Sequence, residues 1–237
     1  MSKIISYQQN SSPTNKGDST NFPHVYYTSP SLYNEFCMAE DTEGIIFKYI
    51  APYCTKKTTL LDIGCGTGKY VNLFAPRCKK VIGVDPVEKQ LVFADRETAK
   101  RGYANVQYLL GRAENLPLLS GSVDLILLAW VTLFPGRAFR EMHRVLRRKG
   151  LIVRVSPYAK DDLTALFPDL NLERMERKNR WFQNHCFTTT YKSIQIKFSS
   201  IRTARHILSR VVGSRETGVI QRTLKHSVVI QTYVKNA

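Results

Sequence analysis

The chain has 237 residues, 43% of them hydrophobic, and a formal net charge of +16, a size and apolar content that suit one α/β domain with a sizeable core. Its longest apolar stretch, Leu125–Phe134, is about half of a membrane-spanning helix, and Met1–Asn21 is polar without the apolar region of a secretory signal. Five cysteines with no C-x-x-C pair argue against a zinc site or a disulfide framework and for reduced thiols in a cytoplasmic protein.

In chain order, residues 1–21 are rich in Ser, Asn, Gln and Lys and read as a flexible arm, with residues 22–237 forming a single domain. Tyr26–Tyr53 carries Tyr33, Phe36, Ile46, Tyr49 and Ile50 at roughly helical spacing, which predicts an aromatic-rich helical cap. Thr59–Ile63 is short and apolar, as a strand buried on both faces should be, and ends in a glycine turn. A second apolar run, Val81–Val84, ends in Asp85, and Glu88–Arg101 follows as a crossover helix. Strand and helix signals alternate through Val155, which predicts a doubly wound, mostly parallel sheet. Beyond Pro157 the period changes. His185–Phe198 alternates like a strand, Ile201–Val212 is an amphipathic helix with Ala204, Leu208 and Val211 on one side, and Ser227–Val234 closes as an apolar strand.

The glycine turn is the feature that carries function. It lets the backbone turn tightly and approach a ligand where a Cβ would clash, and an acid about twenty residues on is placed to hold a ribose. A dinucleotide site needs a third glycine at position 69, which is Lys69; a P-loop needs a glycine at 63 and a hydroxyl at 70, which are Ile63 and Tyr70. What remains is Asp62-x-Gly64-x-Gly66-x-Gly68, which resembles the first motif of the class I S-adenosylmethionine-dependent methyltransferases (type 11-like). Val81–Asp85 resembles that family's second strand, Gly111–Pro117 the segment after its third, Ser122–Leu127 its fourth, and Phe139–Leu146 the helix before its fifth, Leu151–Val155. Four ordered segments over roughly residues 40–157 make a specific match.

The resemblance implies a Rossmann-like, mostly parallel sheet of seven strands with an antiparallel last strand, and the sixth strand is read as antiparallel along with the seventh. It also implies S-adenosylmethionine as cofactor. Asp85 would accept both ribose hydroxyls and Pro86 would follow it; Ala113 and Glu114 would flank the adenine. The turn Gly64, Cys65, Gly66 and Gly68 would meet the methionyl carboxylate, Asp62 the ammonium, and Ala129 would close the strand end beneath. The sequence departs from the family in the turn before the fifth strand, Arg148-Lys149-Gly150, where Gly150 is expected to keep the tight position. It departs again in the loop Ala129–Phe134, which lacks the family's usual histidines.

Candidates for substrate chemistry are Tyr26, Trp130, Tyr158 and His185. Tyr26 and Tyr27 are aromatic faces suited to a sulfonium, and His185, beside Trp181, lies ahead of the sixth strand. Tyr158 closes a Ser-Pro-Tyr triplet that an ordinary strand-end turn explains as well, and His143 reads as a surface residue. Residues 1–136 carry fourteen basic and twelve acidic side chains; residues 137–237 carry twenty-one and seven. Such a basic C-terminal third suits an anionic acceptor or RNA, although no zinc knuckle, RNP motif or KH loop is present and solvated helix faces account for such charge equally well. The expected activity is methyl transfer to an O or N atom of a small molecule or peptide, with an RNA methyltransferase and a non-catalytic partner subunit as the rivals.

Overall fold

The computed structural model describes residues 24–167, 171–211 and 221–236, so the arm at 1–21 lies outside the described residues. Three short helices come first: α1 His24–Thr28, α2 Pro30–Ala39 and α3 Ile45–Ile50. The alternating body follows as β1 Thr59–Ile63, α4 Lys69–Phe74, β2 Lys80–Asp85, α5 Glu88–Lys100, β3 Val106–Leu110, β4 Val123–Ala129, α6 Pro135–Val145 and β5 Leu146–Pro157. It closes with α7 Leu172–Gln183, β6 Thr188–Lys197, α8 Ile201–Val211 and β7 Thr223–Val234. The sheet has seven strands in the order β3-β2-β1-β4-β5-β7-β6. Strand order reverses between β1 and β4, so the crevice at their carboxyl ends is where a ligand of such a sheet binds. No helix among the described residues is long and apolar enough to cross a membrane.

Side chains alternate across each strand, and the apolar runs therefore supply two cores at once. Leu60, Val81, Leu125, Leu127 and Val153 face Ile46, Phe74 and Leu91; Leu61, Ile82, Ile126, Leu128 and Ile152 face Met142, Val145 and Phe182. A third cluster holds the cap down: Val25, Phe36 and Ala39 pack with Ile196, Phe198, Ala204 and Leu208, so α8 turns its apolar side to the N-terminal helices.

Tight packing beneath the glycine turn can be tested. Gly83, in the middle of β2, faces Tyr108 and Cys65, and a Cβ there would lie 2.7 Å from the tyrosine ring and 2.8 Å from the sulfur. Neither neighbour has room to retreat, both being buried. Gly83→Ala is expected to cost about 1–3 kcal/mol. Thermal denaturation checks this, and an unchanged midpoint would mean that the core there is looser than described.

Three expectations change. Only β7 runs against the rest: it is antiparallel to both β5 and β6, so β6 points the same way as β5. The insertion ahead of β6 contains helix α7, opened by Asn171, whose side chain accepts from the Arg174 amide at 2.7 Å. Its sequence hides it because only Asn179 and Phe182 are buried, which leaves almost no apolar period to see. Finally, the left-handed residue before the fifth strand's core is Lys149, with φ 62°, and not Gly150. Its amide donates to Lys235 and the Lys235 amide donates to the Gly150 carbonyl, each at 2.9 Å, so pairing with the end of β7 holds the strained residue. Gly150 is needed for closeness: a Cβ would come within 2.6 Å of Leu146.

Candidate active site

At the carboxyl end of β1 the turn uses left-handed backbone at Gly64, Gly66 and Gly68, with φ of 70°, 50° and 82°. The amides of Gly64 and Cys65 donate to the Val84 carbonyl, which stitches the turn to β2. Asp85 ends β2 fully buried. Its Oδ2 accepts from the Gly66 amide at 2.9 Å and from the Tyr26 hydroxyl at 2.7 Å, and Oδ1 accepts from Val87 at 2.9 Å. Burial raises its pKa above the usual carboxylate range, against the pull of those three donors. Asp62 is buried beside it, and burial together with the Asp85 charge raises its pKa further. Its Oδ2 has no hydrogen-bond partner. A buried acceptor without a donor is costly, and this one is open to a donor from outside the chain.

Lys69 follows the turn but does not serve it. Its ammonium donates to the carbonyls of Cys37 and Glu40, at 2.7 and 2.6 Å, and so caps the carboxyl end of α2. The cap is thereby tied to the turn, and Gln90 of α5 ties it again through the Tyr26 carbonyl. Tyr26 and Tyr33, edge to face at 5.0 Å between centroids, then rest over Gly66.

A cavity of about 190 Å³ lies next to the turn, under the cap and around the carboxyl ends of β4 and β5. Val131 joins the two spaces, because its methyls line the cavity and sit 2.7 Å from where a Gly64 Cβ would be. Trp130 lines it too, held at φ 64°, a left-handed strain that a bulky residue adopts only where its surroundings impose it. The indole Nε1 is buried without an acceptor, and the ring lies 5.3 Å from that of His226. His226 reaches the cavity from β7, and its Nδ1 is 3.0 Å from Asp161 Oδ2. Burial opposes ionisation of Asp161, but hydrogen bonds from His226, Thr164 and Ser227 prevail and hold its pKa at about 2. Glu40 lines the same cavity, and burial pushes its pKa up to about 7, with Lys69 and His226 pulling the other way. Arg154 enters from β5.

The structure thus brings Asp62, Gly64, Cys65, Gly66, Gly68, Asp85 and Tyr26 together and sets Trp130 in the adjoining cavity. Pro86 is an exposed turn residue after Asp85, and Ala113 is buried beside the end of β3. Glu114 Oε1 accepts from the Phe134 amide at 2.9 Å, which fixes the loop after β4, and Ala129 is buried where that loop begins. Two candidates stand apart from the cavity. Tyr158 is half exposed against Tyr191, and His185 stacks on Trp181 at 3.7 Å with its Nδ1 on the Trp181 carbonyl. His226, Asp161 and Glu40 escaped the sequence reading because no local spacing joins them: 65 residues separate the first two. Arg154 did leave a signal, a lone charge inside the otherwise apolar Leu151–Val155.

Residues 61–154 match the family described as the methyltransferase domain. That stretch, from β1 to β5, is similar to the class I S-adenosylmethionine-dependent methyltransferases. The chain is similar to the uncharacterized methyltransferase YcgJ of Bacillus subtilis (strain 168), 32% identical over 130 residues that cover 54% of this chain and 50% of the relative. It is also similar to the ubiquinone/menaquinone biosynthesis C-methyltransferase UbiE of Campylobacter jejuni, 29% identical over 111 residues, or 43% of this chain and 45% of UbiE. The chain spans about half the length of the curated relatives it matches. The crystal structure of YcgJ superposes with a TM-score of 0.58 at 19% identity, over 82% of this chain and 97% of that one, a likeness of fold.

The cofactor of such a domain is S-adenosylmethionine, and the methyltransferase domain's own residues fit it. The orphaned Asp62 Oδ2 suits an ammonium, and the Tyr26 hydroxyl on Asp85 stands where a ribose hydroxyl would donate. That second observation predicts competition. Tyr26→Phe removes the internal donor, and affinity for S-adenosylhomocysteine is expected to rise by up to about tenfold, the equivalent of 1.4 kcal/mol. Calorimetric titration of the two proteins checks it; weaker binding by the variant would make Tyr26 a ligand of the cofactor instead.

Proposed function

We propose that the protein is a methyltransferase that uses S-adenosylmethionine to methylate an O or N atom of a small molecule. The observation that carries this reading is a cavity, beside the glycine turn, that a carboxylate-oriented histidine lines. When bound, the cofactor supplies a methyl carbon activated by a sulfonium, whose neutral thioether leaves without an acid. The chain must then bind, align and exclude water. Asp85 would hold the ribose hydroxyls and Asp62 would meet the ammonium, whereas the amides of Gly64, Cys65, Gly66 and Gly68 are already spent on Val84, Asp85 and Cys65. Tyr26 and Tyr33 cover the turn and keep water from it.

For an O–H or N–H acceptor, one proton must leave. An ionised Asp161 accepts from Nδ1–H of His226, which leaves Nε2 as the acceptor of that proton. Carboxylate and imidazole share the work as an orienter and a base. A carbon acceptor, such as the name of UbiE denotes for that protein, would need the same proton removed from carbon. The cavity's 190 Å³ favours a small acceptor over RNA. Some of the basic side chains are also paired locally, as in the Arg147–Asp124 and Arg180–Glu176 pairs.

Titration with S-adenosylmethionine, followed by labelled-methyl transfer to small molecules and to RNA in parallel, tests the reading. Micromolar binding with turnover of a small acceptor supports it. Turnover of RNA alone, or binding without transfer to any class, would replace it with one of the rivals.

A further inference from the structure

Arg154 is 4% exposed, in the middle of the sheet, yet among the described residues no carboxylate pairs with it. Its Nη1 donates to Asn179 Oδ1 at 2.8 Å and to Gln231 Oε1 at 2.6 Å, both neutral amides. These amides are themselves fixed, Asn179 by the Pro157 carbonyl and Gln231 by the Asn179 carbonyl. The guanidinium carbon lies over the Phe182 ring at 4.5 Å. Nε and Nη2 meet no acceptor among the described residues, and this is the edge on which a guanidinium takes two carboxylate oxygens side by side. Burial without a counter-charge lowers the pKa of Arg154 to about 9. A buried cation is ordinarily paired, and an unpaired one is a cost that a ligand can remove.

The same arginine lines the cavity, with Phe36, Trp130, Phe167 and Met175 as apolar or aromatic walls. Arg174 and Lys178 of α7 line it as well. In the β5–β7 register Arg154 lies opposite Gln231, five positions along β7 from His226 and on the other face of the sheet. The cavity therefore wraps the strand ends from a cationic end to a basic imidazole end.

We propose that this cavity takes an apolar or aromatic monocarboxylate, with its carboxylate on the Nε–Nη2 edge of Arg154. This deepens the methyltransferase reading and rests on it for the word acceptor: the carboxylate is the anchor, and the methylated heteroatom lies at the far end, by His226. The binding itself needs no cofactor and no turnover, which lets the two claims fail separately.

The test uses phenylacetate and octanoate, with phenylacetamide as the neutral isostere and phenyl phosphate as the other anion, titrated into the whole chain by calorimetry and thermal shift. Saturable binding of a carboxylate is expected, at least tenfold tighter than the amide, and reduced at least tenfold in Arg154→Met. That variant removes a buried charge that lacks a counter-ion and keeps an apolar stem against Phe182, but it leaves the Asn179 and Gln231 side-chain oxygens without their donor, so its melting point is measured alongside its binding. The comparison with phenylacetamide stands on the wild type alone should the variant fail to fold. Equal binding of amide and carboxylate, no binding of either carboxylate, or full binding by Arg154→Met would overturn the proposal. A lower melting point for the variant together with no carboxylate binding would make Arg154 a structural clamp between β5, β7 and α7. Phenyl phosphate binding tenfold tighter than phenylacetate would overturn the carboxylate class.

Discussion

Asp85→Ala is expected to abolish cofactor binding while the sheet stays folded. The carboxylate is the sole charged group facing the turn from β2, and the two bonds proposed between it and a ribose diol would be charge-assisted. At about 1.5–3 kcal/mol each, losing both would weaken S-adenosylhomocysteine by roughly 150- to 20,000-fold. Alanine also strands three internal donors, those of Tyr26, Gly66 and Val87. Some loss of stability must be separated from the loss of affinity, and Asp85→Asn does so. It keeps the shape and one acceptor oxygen, yet turns an NH₂ toward groups that already donate. Melting should recover toward the wild type in Asn while affinity does not. Titration of both variants decides it: affinity within a factor of three of the wild type in a folded Asp85→Asn would remove the ribose role from Asp85.

The arrangement proposed to hold the cofactor was legible because it is local. The spacing of Asp62, Gly64, Gly66 and Gly68 is set by one turn, and Asp85 ends the next apolar run, so a short stretch of sequence holds the whole arrangement. The strands around it were legible for a related reason. Burial on both faces makes them continuous apolar runs, as the fully buried Thr59–Ile63 is. Where burial is one-sided and thin the pattern fades, and α7, with two buried positions, passed unseen. The turn at Lys149 was misjudged because conformational preference was read without its partner: the bonds to Lys235 come from the far end of the chain. The acceptor half is tertiary throughout. His226, Glu40 and Arg154 reach one space from β7, the end of α2 and β5, with Asp161 of the loop after β5 behind His226, and only the fold brings them together. His185 looked better placed in sequence, yet its ring is spent on Trp181.

That contrast bears on the last prediction, which concerns the proton. His226→Asn is expected to lower kcat for an O–H or N–H acceptor by about 100- to 10,000-fold, the usual contribution of a positioned base. Asparagine is the informative replacement, since its NH₂ can still donate to Asp161 and hold the loop after β5, while nothing remains at the position of Nε2. Cofactor affinity should be unchanged, because His226 touches the turn nowhere. Part of the lost rate should return as pH rises, since the acceptor then loses its proton to solvent without help. Asp161→Asn should fall in the same direction. Its amide can still face Nδ1, but it no longer favours the tautomer with a free Nε2, and it also weakens the bonds from Thr164 and Ser227. A purely structural pair would show a different pattern, with both variants melting lower and kcat recovering fully at reduced temperature. If His226→Asn kept kcat within threefold at neutral pH, the proton would have to leave by another route. Glu40, which lines the same cavity with a pKa of about 7, would then be the group to replace.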